Sequence, residues 1–304
     1  MADVIKIENL YKNYGEVKAV ENLSIKVKEG ELFAFLGVNG AGKSTTISIM
    51  CGTLLKDGGK VYIDGIDTDV NGEDLKSKIG VVFQNSVLDK SLTVFDNLES
   101  RAALYGILGE AFKSRLEYLA EILDFKDILY RAVGKLSGGQ RRKVDIARAL
   151  IHDPKILILD EPTTGLDPQT RTKLWQVVEK FRKEENMTVF LTTHYMEEAS
   201  DADYVVIIDS GKIVAEGTPI DLKNRYSGDF IYLYNTDLKE VENLGVTFEK
   251  VGHAIKLSVE NTAAATELII KYPQVFKDYE VTKGKMDSVF LTVTGKSLTE
   301  GASK

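Results

Sequence analysis

The chain has 304 residues, with ordinary charged and apolar fractions (28% and 43%) and a net charge of −7. That length allows one large or two modest domains with an ample core, and the acidic balance argues against nucleic acid or an anionic lipid surface as a partner. Cys51 is the only cysteine, so an intrachain disulfide is excluded; the charged start Met1 to Ile7 does not read as a signal peptide, and no apolar run approaches the roughly 20 residues of a membrane span.

Val4 to Tyr11 and Val17 to Val27 read as strands of alternating polarity, leading to the apolar strand Glu31 to Leu36. Directly after it comes Gly37-Val38-Asn39-Gly40-Ala41-Gly42-Lys43-Ser44-Thr45, then a helix carrying Cys51 as inert core. Strand, glycine-rich turn and helix, with a lysine and a hydroxyl where the helix begins, form the G-x-x-x-x-G-K-[ST] phosphate loop. The glycines let successive N–H groups point at phosphate oxygens, the helix N-terminus and Lys43 add positive charge, and the Ser44 hydroxyl is suited to Mg²⁺.

Asp57-Gly58-Gly59 marks a turn, and Lys60 to Asp64 and Gly80 to Phe83 are short strands. From Thr93 to His152 the pattern turns helical, with Leu98, Ala102, Tyr105 and then Leu116, Leu119, Ile122, Leu123 at three-to-four spacing. Within it, Leu136-Ser137-Gly138-Gly139-Gln140 precedes a helix. Locally Ser137 is an N-cap, but a serine and two glycines at a helix start are also a second phosphate-binding surface. Lys155 to Leu159 is a continuous apolar strand, as in a parallel sheet covered on both faces. It ends in Asp160-Glu161, two carboxylates at the sheet edge where ligands gather in open α/β folds. Asp160 is placed to hold Mg²⁺ through water and Glu161 to take the proton of a water attacking a γ-phosphate.

Gln169 to Arg182 is an amphipathic helix, Met187 to Thr192 another buried strand, and Tyr204 to Asp209 and Lys212 to Glu216 a hairpin around Ser210-Gly211. After Tyr226 the character changes. Phe230 to Tyr234, Val246 to Val251, Ala254 to Val259 and Tyr279 to Lys283 look like strands, with helices at Asp237 to Leu244 and Thr262 to Lys271. The order β-α-β-β-α-β is that of a ferredoxin-like sandwich. Met286 to Gly295 fits a last helix capped by Gly295, and also a strand.

Taken together, the motifs resemble the ATP-binding cassette family, the nucleotide-binding subunits of ABC transporters, over roughly Val4 to Arg225. Gly37 to Thr45 resembles Walker A, Gln84 the Q-loop glutamine, Ile156 to Glu161 Walker B with its catalytic carboxylate, Thr164 to Asp167 the D-loop, and His194 the switch histidine; Leu136 to Gln140 is identical to the signature LSGGQ. Tyr14 falls where the family stacks an aromatic ring on adenine. Val38 departs from the usual proline, at little cost because backbone N–H groups do the binding.

The resemblance implies an α/β phosphate-loop cassette at residues 1–228, with an antiparallel subdomain, a helical subdomain at about 93–153 and an accessory domain at 229–304. It implies ATP and Mg²⁺ as cofactors, with Ser44, Gln84 and Asp160 toward the metal and Glu161, His194 and Gln84 toward hydrolysis. The implied partners are a separate integral membrane subunit and a second copy in an ATP-sandwich dimer. In that dimer Ser137, Gly138, Gly139 and Gln140 complete the opposite site and Asp167 crosses the interface, although an N-terminal helix cap is a rival role for Asp167. The implied location is the cytoplasmic face of the membrane. Met196 to Ala199, Gly211 to Pro219 and Ser288 to Gly295 resemble the daunorubicin-type, multidrug-exporter branch. Import stays open as an alternative. A mechanical DNA ATPase is disfavoured by the lack of a heptad run between Lys43 and Ser137. In the resembling family Ser86 to Leu92 lines a cleft for the membrane subunit, so Leu88 is expected at that surface; the rival is an ordinary loop with Leu88 and Leu92 tucked into the subdomain core.

Overall fold

The computed structural model describes residues 2–70 and 72–296; the last eight residues assigned to the accessory domain lie outside them. In chain order the elements are β1 (Asp3–Tyr14), β2 (Val17–Lys28), β3 (Leu32–Leu36), α1 (Lys43–Met50), β4 (Gly58–Ile63), β5 (Ile66–Asp67), α2 (Gly72–Lys78) and β6 (Ile79–Val82). The helical stretch contains α3 (Val94–Ala103), α4 (Gly109–Ile122) and α5 (Gly138–Leu150). Next come β7 (Ile156–Asp160), α6 (Pro168–Glu185), β8 (Thr188–Thr193), α7 (Met196–Ser200), β9 (Tyr204–Asp209), β10 (Lys212–Gly217) and α8 (Pro219–Tyr226). The C-terminal part has β11 (Asp229–Tyr234), α9 (Leu238–Glu242), β12 (Phe248–Val251), β13 (Ala254–Val259), α10 (Thr262–Lys271), β14 (Tyr279–Thr282) and α11 (Met286–Thr294).

The central sheet has the order β10-β9-β3-β8-β7-β6. All its strands run parallel except β10, which returns antiparallel to β9. That hairpin turns on Ser210 and Gly211, both with positive φ (49° and 78°), the conformation a tight two-residue turn between twisted strands requires. Strands β3, β7 and β8 are buried along their whole length, which explains why their sequences are unbroken apolar or Thr-rich runs. One face carries a core with Phe33, Phe35, Ile47, Ile158 and Phe190, shared with the antiparallel sheet β2-β1-β4-β5. The other face packs Leu157, Leu159, Val189 and Leu191 against α5 and α6 residues such as Ile146, Leu174 and Phe181.

In the helical subdomain, Phe112, Leu116 and Leu119 of α4 share a core with Leu98, Phe125 and Val144. Thr93 starts α3 through a reciprocal capping box with Asp96. Leu88 belongs to this core and is only 7% exposed. The expectation that it lies on a partner-facing surface is therefore corrected: Val87 and Leu92, 50% and 39% exposed, are the apolar side chains this segment presents.

The C-terminal sheet has the order β12-β13-β11-β14 and is antiparallel throughout, the ferredoxin-like topology its element order predicts. Its core includes Ile231, Leu233, Val241, Leu257 and Ala265. The tail forms a helix rather than a strand, and Gly295 ends it in the left-handed conformation (φ 67°). This helix, α11, does not join the C-terminal core. Met286, Val289 and Phe290 are buried in the core of the central sheet, where α11 packs on α8 and α7. Among the described residues, no helix is long and apolar enough to cross a membrane.

Candidate nucleotide site

Four adjacent strands, β3, β8, β7 and β6, each deliver one chemical group at their C-terminal edge. The glycine-rich loop leaves β3, His194 follows β8, Asp160 and Glu161 close β7, and Gln84 comes just after β6. The parallel register, with Leu36 opposite Thr193, Asp160 opposite Thr192 and Val82 opposite Leu159, brings these ends level. Residues scattered from position 37 to 194 thus meet at one edge.

The loop wraps tightly because of its glycines. Gly42, with φ 111°, caps α1, and a Cβ there would lie 2.4 Å from the Ala19 carbonyl oxygen. Any other residue would be strained and would clash with the backbone of β2. Lys43 is buried, and its ammonium donates to the carbonyls of Gly37 (2.7 Å) and Val38 (3.2 Å) and pairs with Glu161 Oε1 at 3.3 Å. Burial pulls its pKa below the usual lysine value, and the charge of Glu161 opposes that shift. Asn39, Gly40 and Ser44 are exposed, Ala41 and Gly37 are buried, and Val38, Gly42 and Thr45 lie between.

Glu161 is the hub. Gln84 Nε2 donates to its Oε2 (3.0 Å), the Thr164 hydroxyl approaches at 3.4 Å, and His194 Nδ1 lies 3.3 Å away. At that distance His194 Nδ1 makes a close approach that falls outside strict hydrogen-bond geometry. His194, followed by Lys43, holds the Glu161 carboxyl down to about 2 against the opposing effect of burial. Its backbone sits in the left-handed region at φ 45°, an uncommon conformation for a glutamate. The Thr192 carbonyl and hydroxyl, 3.1 and 3.2 Å from the Glu161 N–H, hold the chain there.

Asp160 accepts from the Thr192 hydroxyl at 2.6 Å and lies 3.5 Å from the Ser44 hydroxyl. Burial pushes its pKa above the ordinary aspartate value. A buried carboxylate 3.5 Å from a serine hydroxyl is a pair of hard oxygen donors, which suits Mg²⁺. That ion characteristically takes few protein ligands and completes its shell with phosphate and water.

The other expected site residues stand apart. Tyr14 ends β1 half-exposed (51%), with Lys12 Nζ 5.6 Å from its ring centroid, so its ring is not core packing. Ser137 caps α5 in a capping box with Gln140, and Gly138 faces open space while Gly139 lies close against Thr170. Among the described residues, no hydrogen bond or ion pair links Ser137 to Gln140 with the glycine loop. Asp167 caps α6, accepting from the Thr170 N–H at 3.0 Å.

Two residues escaped the sequence reading. Arg142, 7% exposed, projects from α5 and donates to the carbonyls of Phe83 (2.6 Å), Pro162 (2.6 Å) and Glu161 (3.2 Å). One guanidinium thus ties the signature helix to the ends of β6 and β7. Its spacing to Asp145 and Ala149, on the buried face of α5, was the available signal. Glu198, also buried, accepts from Thr193 (2.6 Å), Trp175 (3.3 Å) and Thr163. It braces the turns that carry Glu161 and His194.

Comparison with known proteins agrees with this geometry. The ABC transporter family model matches residues 20–164. A linearmycin resistance ATP-binding protein from Bacillus subtilis is 34% identical, covering 97% of this chain and 99% of that protein. A daunorubicin resistance ATP-binding protein from Streptomyces coeruleorubidus is 33% identical over 96% of this chain and 95% of its own length. Among solved structures, a dimeric ATP-binding cassette in a post-hydrolysis state with ADP and phosphate superposes with a TM-score of 0.66. It shares 31% identity, covering 71% of this chain and 98% of that one.

Proposed function

The chain belongs to the ABC transporter family, and we propose that it is the ATP-hydrolysing subunit of a membrane exporter, acting as a pair of copies that close on ATP. The observation that carries this reading is the convergence of Lys43, Ser44, Gln84, Asp160, Glu161 and His194 at one sheet edge beside the phosphate loop.

The chemistry follows from the charges. The backbone N–H groups of the loop and the start of α1 bind the phosphates, with the Lys43 ammonium between β and γ. Mg²⁺, held by Ser44 and Asp160 with Gln84 at its edge, would neutralise charge on the phosphate chain. Glu161, a carboxylate ionised at neutral pH, is the acceptor for the proton of the attacking water. Gln84 and His194 touch that carboxylate and hold it and the water in line. Tyr14 offers its exposed ring to the adenine. The phosphate loop lacks a donor on its open side, and the α5 N-terminus of a second copy supplies Ser137, the Gly139 N–H and a helix dipole there. Two intact sites are expected per homodimer.

The drug-resistance names of the two relatives, both matched along nearly their full length, favour export over import. Purifying the tagged chain from solubilised membranes should recover an integral membrane protein, and inverted vesicles carrying both should accumulate solute as ATP is hydrolysed. A chain that turns over ATP and recovers no membrane protein would replace the exporter reading with a non-transport cassette.

A further inference from the structure

A cavity of about 340 Å³ lies between the helical subdomain and α6, walled by the end of α4 and by α5 on one side and α6 on the other. Its floor is apolar, built from Ile122, Ile146, Leu174 and Val177. Its rim carries Lys143, Lys173 and Lys180 against one carboxylate, Asp124. Lys143 is bonded to Asp124 at 3.0 Å and Lys180 lies 3.9 Å from Glu184, whereas Lys173 has no ion pair among the described residues. The volume falls in the range of about 300–1,000 Å³ typical of small-molecule sites. An apolar floor under an excess of ammonium groups, one of them uncommitted, is complementary to an organic anion with an apolar body.

The place of the cavity gives such a ligand leverage. Gly139 and Arg142 also line it. The first lies in the opening turn of the signature helix, and the second fastens that helix to the ends of β6 and β7. The two walls belong to units that turn against one another if α5 is to reach a second copy's nucleotide. A molecule wedged between α5 and α6 would fix their separation.

We infer that this cavity is a regulatory site for a soluble amphipathic anion, a single-chain carboxylate being the simplest, and that its occupation slows ATP hydrolysis by holding the helical subdomain against the core. The binding half stands on the cavity alone; the inhibition rests on the proposed role of α5, so the two are measured separately.

Decanoate, kept below its micellar concentration, is the probe, with decanol and decyltrimethylammonium as neutral and cationic controls. Calorimetry on the full-length protein without nucleotide should show saturable one-to-one binding of decanoate and none of the cation. Lys173→Glu, an exposed change outside the nucleotide machinery, should weaken it tenfold or more. Val177→Trp should fill the cavity, abolish binding and, standing in for the ligand, lower basal hydrolysis. In wild type, saturating decanoate should at least halve the ATPase rate, and Lys173→Glu should shift that inhibition to tenfold higher concentrations.

Equal binding of anion and cation, or of wild type and Lys173→Glu, overturns the site. Binding without any change in hydrolysis overturns the coupling. If decanoate fails to bind while Val177→Trp abolishes self-association, the face belongs to a second copy. If instead Lys173→Glu releases the protein from phosphatidylglycerol vesicles, it belongs to a membrane; the proposal falls in either case.

Discussion

Glu161 concentrates the chemistry of the site in one carboxylate. It is buried, in a left-handed backbone conformation, and in contact with Lys43, Gln84 and His194. Glu161→Gln keeps the shape, removes the charge and the basicity, and turns one acceptor oxygen into an amide donor. ATP binding should therefore survive while turnover drops by about 10²–10⁴, the loss typical of a missing general base. Stalled with ATP, the variant should elute from gel filtration as a dimer. Near-normal turnover would place the base elsewhere. The sign of the pKa shift adds a stability consequence. A carboxylate at about 2 in the folded state, below its unfolded value, stabilises the fold above pH 4.5, and that contribution is lost as pH falls towards 2. Most of this residue set was legible in the sequence because each member sits in a local motif whose chemistry is readable from spacing. Arg142 and Glu198 were not, since Arg142 acts through carbonyls 18 or more positions away and Glu198 joins Thr193 to Trp175 and Thr163, partners that only the sheet order brings close.

Helix α5 joins three functions in one element. Its N-terminus carries the signature, its second turn the Arg142 brace, and just beyond its last residue lies His152. Ser137→Arg and Lys43→Ala should each be inactive alone, because every composite site takes one loop and one signature. Mixed in equal amounts they should regain part of the activity, since a heterodimer rebuilds one unmutated site. Activity in Ser137→Arg by itself would mean that the signature does not act across a dimer. At the far end, His152 stacks on Tyr105 at 3.9 Å with its Nε2 3.0 Å from the Ile79 carbonyl oxygen, and burial depresses its pKa to about 4. The unfolded chain takes up a proton near pH 6.5 and the folded one does not until about 4. Stability is thus lost as pH falls through that window. Urea midpoints at pH 7.5 and 5.0 should show the decline in wild type and a smaller one in His152→Asn; equal declines would assign it to other groups. Elements of this length were readable from periodicity. Those that were missed, β5, α2, α7 and α8, run from two to eight residues, too short for a hydrophobic repeat to register. Leu88 misled for a related reason. One leucine among polar neighbours looks the same whether it faces a partner or, as here, turns inward.

For the whole molecule, the question is where the accessory part ends. The ferredoxin-like unit is threaded between two points that nearly touch, since a Cβ on Gly284 would lie 2.3 Å from the Gly228 carbonyl oxygen. Asp229 closes this neck, accepting from the Gly284 N–H (3.2 Å) and the Thr262 hydroxyl (2.7 Å) and pairing with Lys283 (3.0 Å). Beyond the neck, α11 returns to the cassette, and Lys296 pairs with Asp209 at the end of β9. The unit is thus arranged as an insertion, which tolerates removal when its ends are close and its neighbours keep their packing. Sequence composition could not show this, because α11 is as apolar as a strand of its own domain would be. The two ways of removing the unit should therefore differ. Ending the chain at Tyr226 strips Met286, Val289 and Phe290 from the cassette core, side chains each worth roughly 2–5 kcal/mol when the large ones are truncated to alanine. A loss of even about 3 kcal/mol lowers Tm by roughly 6–12 °C in a domain of this size. Replacing residues 229–283 with a short Gly-Ser linker from Gly228 to Gly284 leaves α11 in place. That variant should melt close to the full chain and hydrolyse ATP, because the excised unit contains no arginine and no glycine-rich loop with which to handle phosphate. Melting curves and ATPase rates of the two variants decide the matter. If the excised form unfolds while the truncated one stays stable, α11 is a passenger of the accessory unit rather than part of the cassette.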